Sequence, residues 1–139
     1  MTVRARHGVQ DAGLNQSKAL PAAGASASTT AIDLGTLTTR GARLEDVEFV
    51  LSLPATPDLV DDKTILIDIE TDDDVEWGSA LTLIDNAISV VGAGGAGAAA
   101  AEYRFKLPTG CERYLRATAT VLAAGGDNTG VSFTLEPVF

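Results

Sequence analysis

The sequence predicts an all-β protein: a two-sheet antiparallel sandwich, a jelly roll of about eight strands, with an extended arm over residues 1–28 in front of it. Three observations lead there. Short runs carry a period of two, as at Ile65, Ile67 and Ile69, at Tyr103, Phe105 and Leu107, and at Val131, Phe133 and Leu135. Successive side chains of a strand point to opposite faces, so each run sends one face to a core and one to water. No stretch carries the apolar period of an amphipathic helix. Gly, Pro, Asp and Asn separate the runs at the spacing of a sandwich.

Residues 1–28 are rich in Ala, Gly, Ser and Gln, and Pro21 and Gly24 interrupt them. They read as an arm that is either disordered or ordered against a partner. Deleting residues 2–24 is expected to leave the β-fold intact. The β-domain, residues 29–139, opens with a strand Thr29–Leu34, ended by Gly35. Asp46–Leu53 follows, with Val47, Phe49, Leu51 and Leu53 on one face. Pro54 and Pro57 make Pro54–Asp62 a loop. Lys63–Thr71 is β-branched and alternating. The acidic loop Asp72–Asp74 is closed by Trp77 and Gly78. Ser79–Ile84 and Ala87–Val91 read as two strands about an Asp85-Asn86 turn. Gly92–Ala100 reads as a flexible low-complexity loop. Ala101–Leu107 is a strand, and Pro108-Thr109-Gly110 a tight turn. Arg113–Val121 turns Leu115, Ala117, Ala119 and Val121 inward. After the turn at Gly125–Asn128, Thr129–Glu136 is the last strand. The strand count suits the two Greek keys of a jelly roll, while periodicity alone also allows an immunoglobulin-like sandwich.

The chain has 139 residues, one domain's worth, and 45% hydrophobic residues, but much of that is alanine and only 5% is aromatic. Large aliphatic side chains each contribute roughly 1.5–3 kcal/mol on burial against roughly 1.5 kcal/mol per ordered residue, so burial against a partner would help. Net charge is −9 and uneven: residues 1–43 carry net +3, residues 44–100 net −12, and residues 101–139 balance. The acidic middle argues against a nucleic-acid partner and for a basic protein surface. No apolar run reaches signal-peptide or membrane-span length, so the expectation is synthesis in a cytoplasm, no standard export and no membrane partner.

Chemistry-bearing clusters are sparse. A single cysteine, Cys111, cannot form an intrachain disulfide, and the single histidine, His7, lies in the arm, so no thiol–base pair is legible. Asp72, Asp73 and Asp74 with Glu70 and Glu76 could face a cation, but the spaced calcium-loop pattern is absent, and a solvated turn is the simpler reading. Residues 92–97, GAGGAG, lack the following helix of a phosphate loop. Trp77, Tyr103 and Tyr114 are the only Trp and Tyr residues. Tyr103 keeps step with core positions and Tyr114 reads as outward, which gives a carbohydrate-binding module thin support. No catalytic, cofactor or metal residues are assigned. Arg104, Lys106, Arg113 and Arg116 lie outward on two successive strands, and would make a positive patch if those strands paired. With Arg4, Arg6, Leu20 and Pro21 of the arm they are the candidate partner-interface residues.

Three stretches carry a family likeness: STTAIDLG at 28–35, IETDDDVEWGSALTLI at 69–84, and LPTGCERYLRATATV at 107–121. In this order they resemble the small jelly-roll cement, or decoration, proteins of tailed bacteriophage capsids, over roughly residues 20–139. The turn and strand at Leu107–Arg116 are its strongest part. The resemblance implies a non-enzymatic structural virion protein. It would form a homotrimer on the capsid exterior, bind the major capsid protein and stabilise the expanded shell. The Arg4, Arg6 and His7 region and the simple loop at 92–100 depart from the family pattern. The alternative is a carbohydrate-binding β-sandwich on a virion or cell surface.

Overall fold

The computed structural model describes residues 14–35 and 46–138. Within them lie nine strands: β1 (Gln16–Ala19), β2 (Ser26–Ser28), β3 (Ile32–Asp33), β4 (Glu48–Leu53), β5 (Thr64–Asp72), β6 (Leu81–Val91), β7 (Ala101–Lys106), β8 (Tyr114–Val121) and β9 (Ser132–Val138). They pair antiparallel in two sheets, one ordered β1-β9-β4-β7 and the other β2-β8-β5-β6, with β3 also on β8. β2 and β3 lie end to end along β8, Ser26–Ser28 opposite Thr118–Thr120 and Ile32–Asp33 opposite Tyr114 and Leu115. Taken as one interrupted strand, they bring the total to eight. The sheets then run 1-8-3-6 and 2-7-4-5. That order is the jelly roll's, and it removes the immunoglobulin-like alternative.

The strand number agrees with the sequence reading through two offsetting differences. First, residues 14–28 are not a projecting arm. Leu14 and Leu20 belong to the core, β1 forms the edge beside β9, and β2 lies along β8. Between them the chain passes from one sheet to the other, tied by Leu20 N–H to the Val131 carbonyl and Gly24 N–H to the Val121 carbonyl, both at 2.8 Å. Second, Asp85-Asn86 is not a turn. β6 is one strand of 11 residues with a bulge. Its register with β5 jumps from Ile67↔Ile88 to Ile69↔Ile84, leaving residues 85–87 unpaired. β5 runs straight through, so the surplus residues of β6 must bulge outward. Asn86 takes φ +51°, which Asn tolerates, and its N–H donates to Asp68 Oδ1 at 2.7 Å.

The inward faces follow the alternation. Phe49, Leu51 and Leu53, Ile65, Ile67 and Ile69, Leu115, Ala117, Ala119 and Val121, and Phe133 and Leu135 are all buried. The β8 alanines are part of the packing: Ala119 pairs with Ile67 and Ala117 with Ile69, so small residues make room for branched neighbours. Phe49 stacks on Phe105 at 5.6 Å between centroids.

The registers sort the connections to two ends. The loops at 20–25, 54–63, 92–100 and 122–131 gather at one, called here the glycine end. The β5–β6 hairpin loop at 73–80 and the β7–β8 connection at 107–113 lie at the other, the hairpin end, together with Leu14, Gly35 and Asp46.

Candidate functional site

The four basic residues do not form a patch. β7 pairs with β4 and β8 pairs with β5, so Arg104 and Lys106 lie on the outer face of one sheet and Arg116 on that of the other. β7 and β8 follow one another in the chain but belong to different sheets, which their sequence proximity hides. The arginines are also engaged. Arg104 Nη1 donates to Glu48 Oε1 at 2.8 Å and its Nε to Glu102 Oε1 at 2.9 Å, and the Glu48 bond leads in holding the guanidinium pKa above its ordinary value. Arg113 grips Asp33 with two bonds of 3.0 Å, which lowers the carboxyl's pKa despite the opposing desolvation. Arg116 Nε donates to Glu70 Oε1 at 2.8 Å while its guanidinium lies 4.0 Å over the Trp77 ring.

Of the remaining interface candidates, Leu20 is buried in this chain's own core and Pro21 is half-buried beside it. Arg4 and Arg6 lie outside the described residues.

Leu107–Arg116, the stretch with the strongest family likeness, makes the passage between sheets. Buried Thr71 anchors it, its hydroxyl donating to the Tyr114 carbonyl and accepting the Glu112 N–H, both at 2.8 Å. Cys111 N–H closes the turn onto the Pro108 carbonyl, and the Arg113–Asp33 pair ties the exit to β3. The Cys111 thiol is half-buried, and burial pushes its pKa up, which lowers the fraction of reactive thiolate. Each of these groups holds the fold.

The acidic run caps a hairpin. Asp72 is fully buried, and its two oxygens accept the N–H groups of Asp74 at 3.0 Å and Ser79 at 2.9 Å. Burial would raise its pKa, but these donors outweigh it and hold it below the ordinary value. Asp74 Oδ1 in turn accepts the Glu76 N–H. Among the described residues, no three Asp, Glu, His or Cys side chains converge as a metal site. Trp77 has its ring against Arg116 and Tyr103 packs beside Phe105, while Tyr114 lies under Arg113, its ring centroid 5.1 Å away.

No protein-family model and no curated protein matches the chain. Among solved structures it is similar to one described as an EclA C-terminal domain, a sugar-binding protein, at 10% identity over 94% of this chain and with a TM-score of 0.24. This chain spans 66% of that chain's length. A likeness of that size carries no argument about fold or ligand.

Residues 92–100, at the glycine end, read from sequence as a flexible low-complexity loop, and the structure seats them firmly. Thr56 and Ala98 exchange two backbone hydrogen bonds of 2.9 and 3.1 Å. Asp62 N–H donates to the Gly92 carbonyl, and Gly95 N–H to Asp61 Oδ1. A Cβ on Gly97 would stand 1.9 Å from the Thr56 carbonyl oxygen, and one on Gly92 2.3 Å from that of Val60. Glycine lets these loops touch backbone to backbone. A sequence signal existed in the adjacent apolar pairs Leu59-Val60 and Val121-Leu122. Alternation buries one member of each and leaves Val60 and Leu122 in solvent.

Proposed function

We propose that this chain is a structural virion protein that binds the outside of a phage capsid as a homotrimer and cements neighbouring major capsid subunits. One observation carries the reading: the stretch that most resembles cement proteins, Leu107–Arg116, spends its polar groups on pinning the β7–β8 connection to β3, β5 and β8. A signature built of fold-holding residues suits a family whose work is contact. The paired arginines and capped carboxylates support the same reading, since they stabilise a surface and present no nucleophile beside a base. Three copies in one trimer would act together on a repeating shell, so modest contacts add to firm retention.

The test is cosedimentation with expanded shells of the major capsid protein encoded in the same genome, with light scattering for mass. Retention on shells and a trimer mass are expected. Shells that pellet without the protein reject the proposal. An oligosaccharide titration that shifts Trp77 emission, with no retention on shells, favours the carbohydrate-binding alternative.

A further inference from the structure

Resting on the reading of this chain as a contact protein, we propose that the glycine end is the face that meets its partner, a protein surface with an apolar centre and a basic rim. Three aliphatic side chains from three separate segments stand in solvent there: Val60 is 44% exposed, Val91 52% and Leu122 45%. Backbone bonds hold them near one another. Val60 N–H donates to the Gly125 carbonyl, and Thr64 pairs with Val91 while its carbonyl accepts the Leu122 N–H. Single exposed aliphatics are ordinary, whereas several gathered on one braced end mark a contact surface. The braces matter energetically, because loops already fixed lose little entropy on docking.

Charge selects the partner. Asp58, Asp61, Asp62 and Asp127 are exposed on these loops, and Lys63 is the one cation on them. Basic groups on the opposing rim complement this ring, whereas anionic lipid and nucleic acid are repelled. Among the described residues, the other exposed large aliphatics, Val75 and Leu81, belong to a single hairpin at the opposite end.

The experiment compares wild type, Val60→Ser/Val91→Ser/Leu122→Ser and a hairpin-end control, Val75→Ser/Leu81→Ser, for retention on the capsid shells. Circular dichroism and thermal melting check that the exposed substitutions leave the fold intact. The triple variant should lose retention by about tenfold or more, as expected when central apolar anchors are removed, while the control keeps it. A second variant, Asp58→Asn/Asp62→Asn, should bind more weakly with a flatter salt dependence. Wild-type retention by both glycine-end variants overturns the docking face and leaves the cement reading standing. Failure of wild type to bind shells removes that reading and this inference with it. A solution mass that falls in the triple variant would make the occupant a second copy, and retention on phosphatidylcholine vesicles would make it a lipid surface. Either outcome overturns the proposal.

Discussion

At Asp72 a buried carboxylate has both oxygens occupied by backbone N–H groups of the hairpin it precedes. Its pKa in the fold lies below the roughly 3.9 of an unfolded aspartate, so its contribution to stability is present above that value and lost as pH falls through the folded one. Asp72→Asn turns an acceptor into a donor facing an N–H. Its urea midpoint should fall at pH 7, and the gap to wild type should close below about pH 4. Asp68 has the opposite sign. Burial raises its pKa, against the Asn86 N–H, and Asp85 and Glu70 add to the rise. The ionised form is therefore penalised, and the penalty fades as pH falls through the raised value. Asp68→Asn keeps an oxygen for the Asn86 N–H and removes the charge. Its melting temperature should rise at pH 7, with a smaller gain in acid. Arg116 bridges Glu70 and Trp77 with both partners of the ion pair only part-exposed. Arg116→Ala should cost about 1–2 kcal/mol in chemical unfolding. It should also shift the emission of Trp77, the chain's single tryptophan.

Among the elements, the 92–100 connection and the β5–β6 bulge depart most from their sequence reading. A glycine–alanine run has no side chains to report its neighbours, so it reads as slack chain. The structure presses it against the 54–62 loop at distances only hydrogen atoms permit. Gly97→Ala adds a clash with the Thr56 carbonyl to the strain of φ +70° and should cost about 3 kcal/mol or more, the range of core disruption. Gly94→Ala meets no neighbour and bears the φ +64° strain alone, about 1–2 kcal/mol. Denaturant unfolding of the pair checks whether contact or dihedral strain dominates. At the bulge, Asp85-Asn86 satisfies the sequence rule for a turn, and the continuity of β5 overrides it. β1 and β2 were illegible for another reason: short edge strands of Gln, Ser, Lys and Ala, mostly exposed, show no apolar alternation.

For the whole molecule, the two sheets are closed by pairings that are nearly all distant in the chain, with β5–β6 the one pairing of consecutive strands among the described residues. The first described strand sits beside the last, so the N-terminal segment is a structural part of the sandwich. Deleting residues 2–24 removes β1 and the core leucines Leu14 and Leu20. That truncation should lower the melting temperature sharply, since losing even one buried leucine side chain costs about 2–5 kcal/mol. Deleting residues 2–12 leaves both leucines and β1 in place and should melt well above the longer truncation. Equal melting by the two truncations would show that β1 adds nothing to the fold. The shorter deletion is therefore the one suited to asking whether Arg4 and Arg6 contribute to shell retention.

Taken alone, the sequence determined the all-β class, the central strands and their inward residues, because period-two burial is written locally in side-chain polarity. Ile65, Ile67 and Ile69, and Leu115 to Val121, needed no partner to be read. Tertiary structure decided which strands meet. It separated Arg104 from Arg116, drew residues 14–28 into the sheets, and gathered Val60, Val91 and Leu122 at one end. Those are consequences of chain crossing between sheets, and a contact between residues far apart in the chain leaves no local trace in either segment.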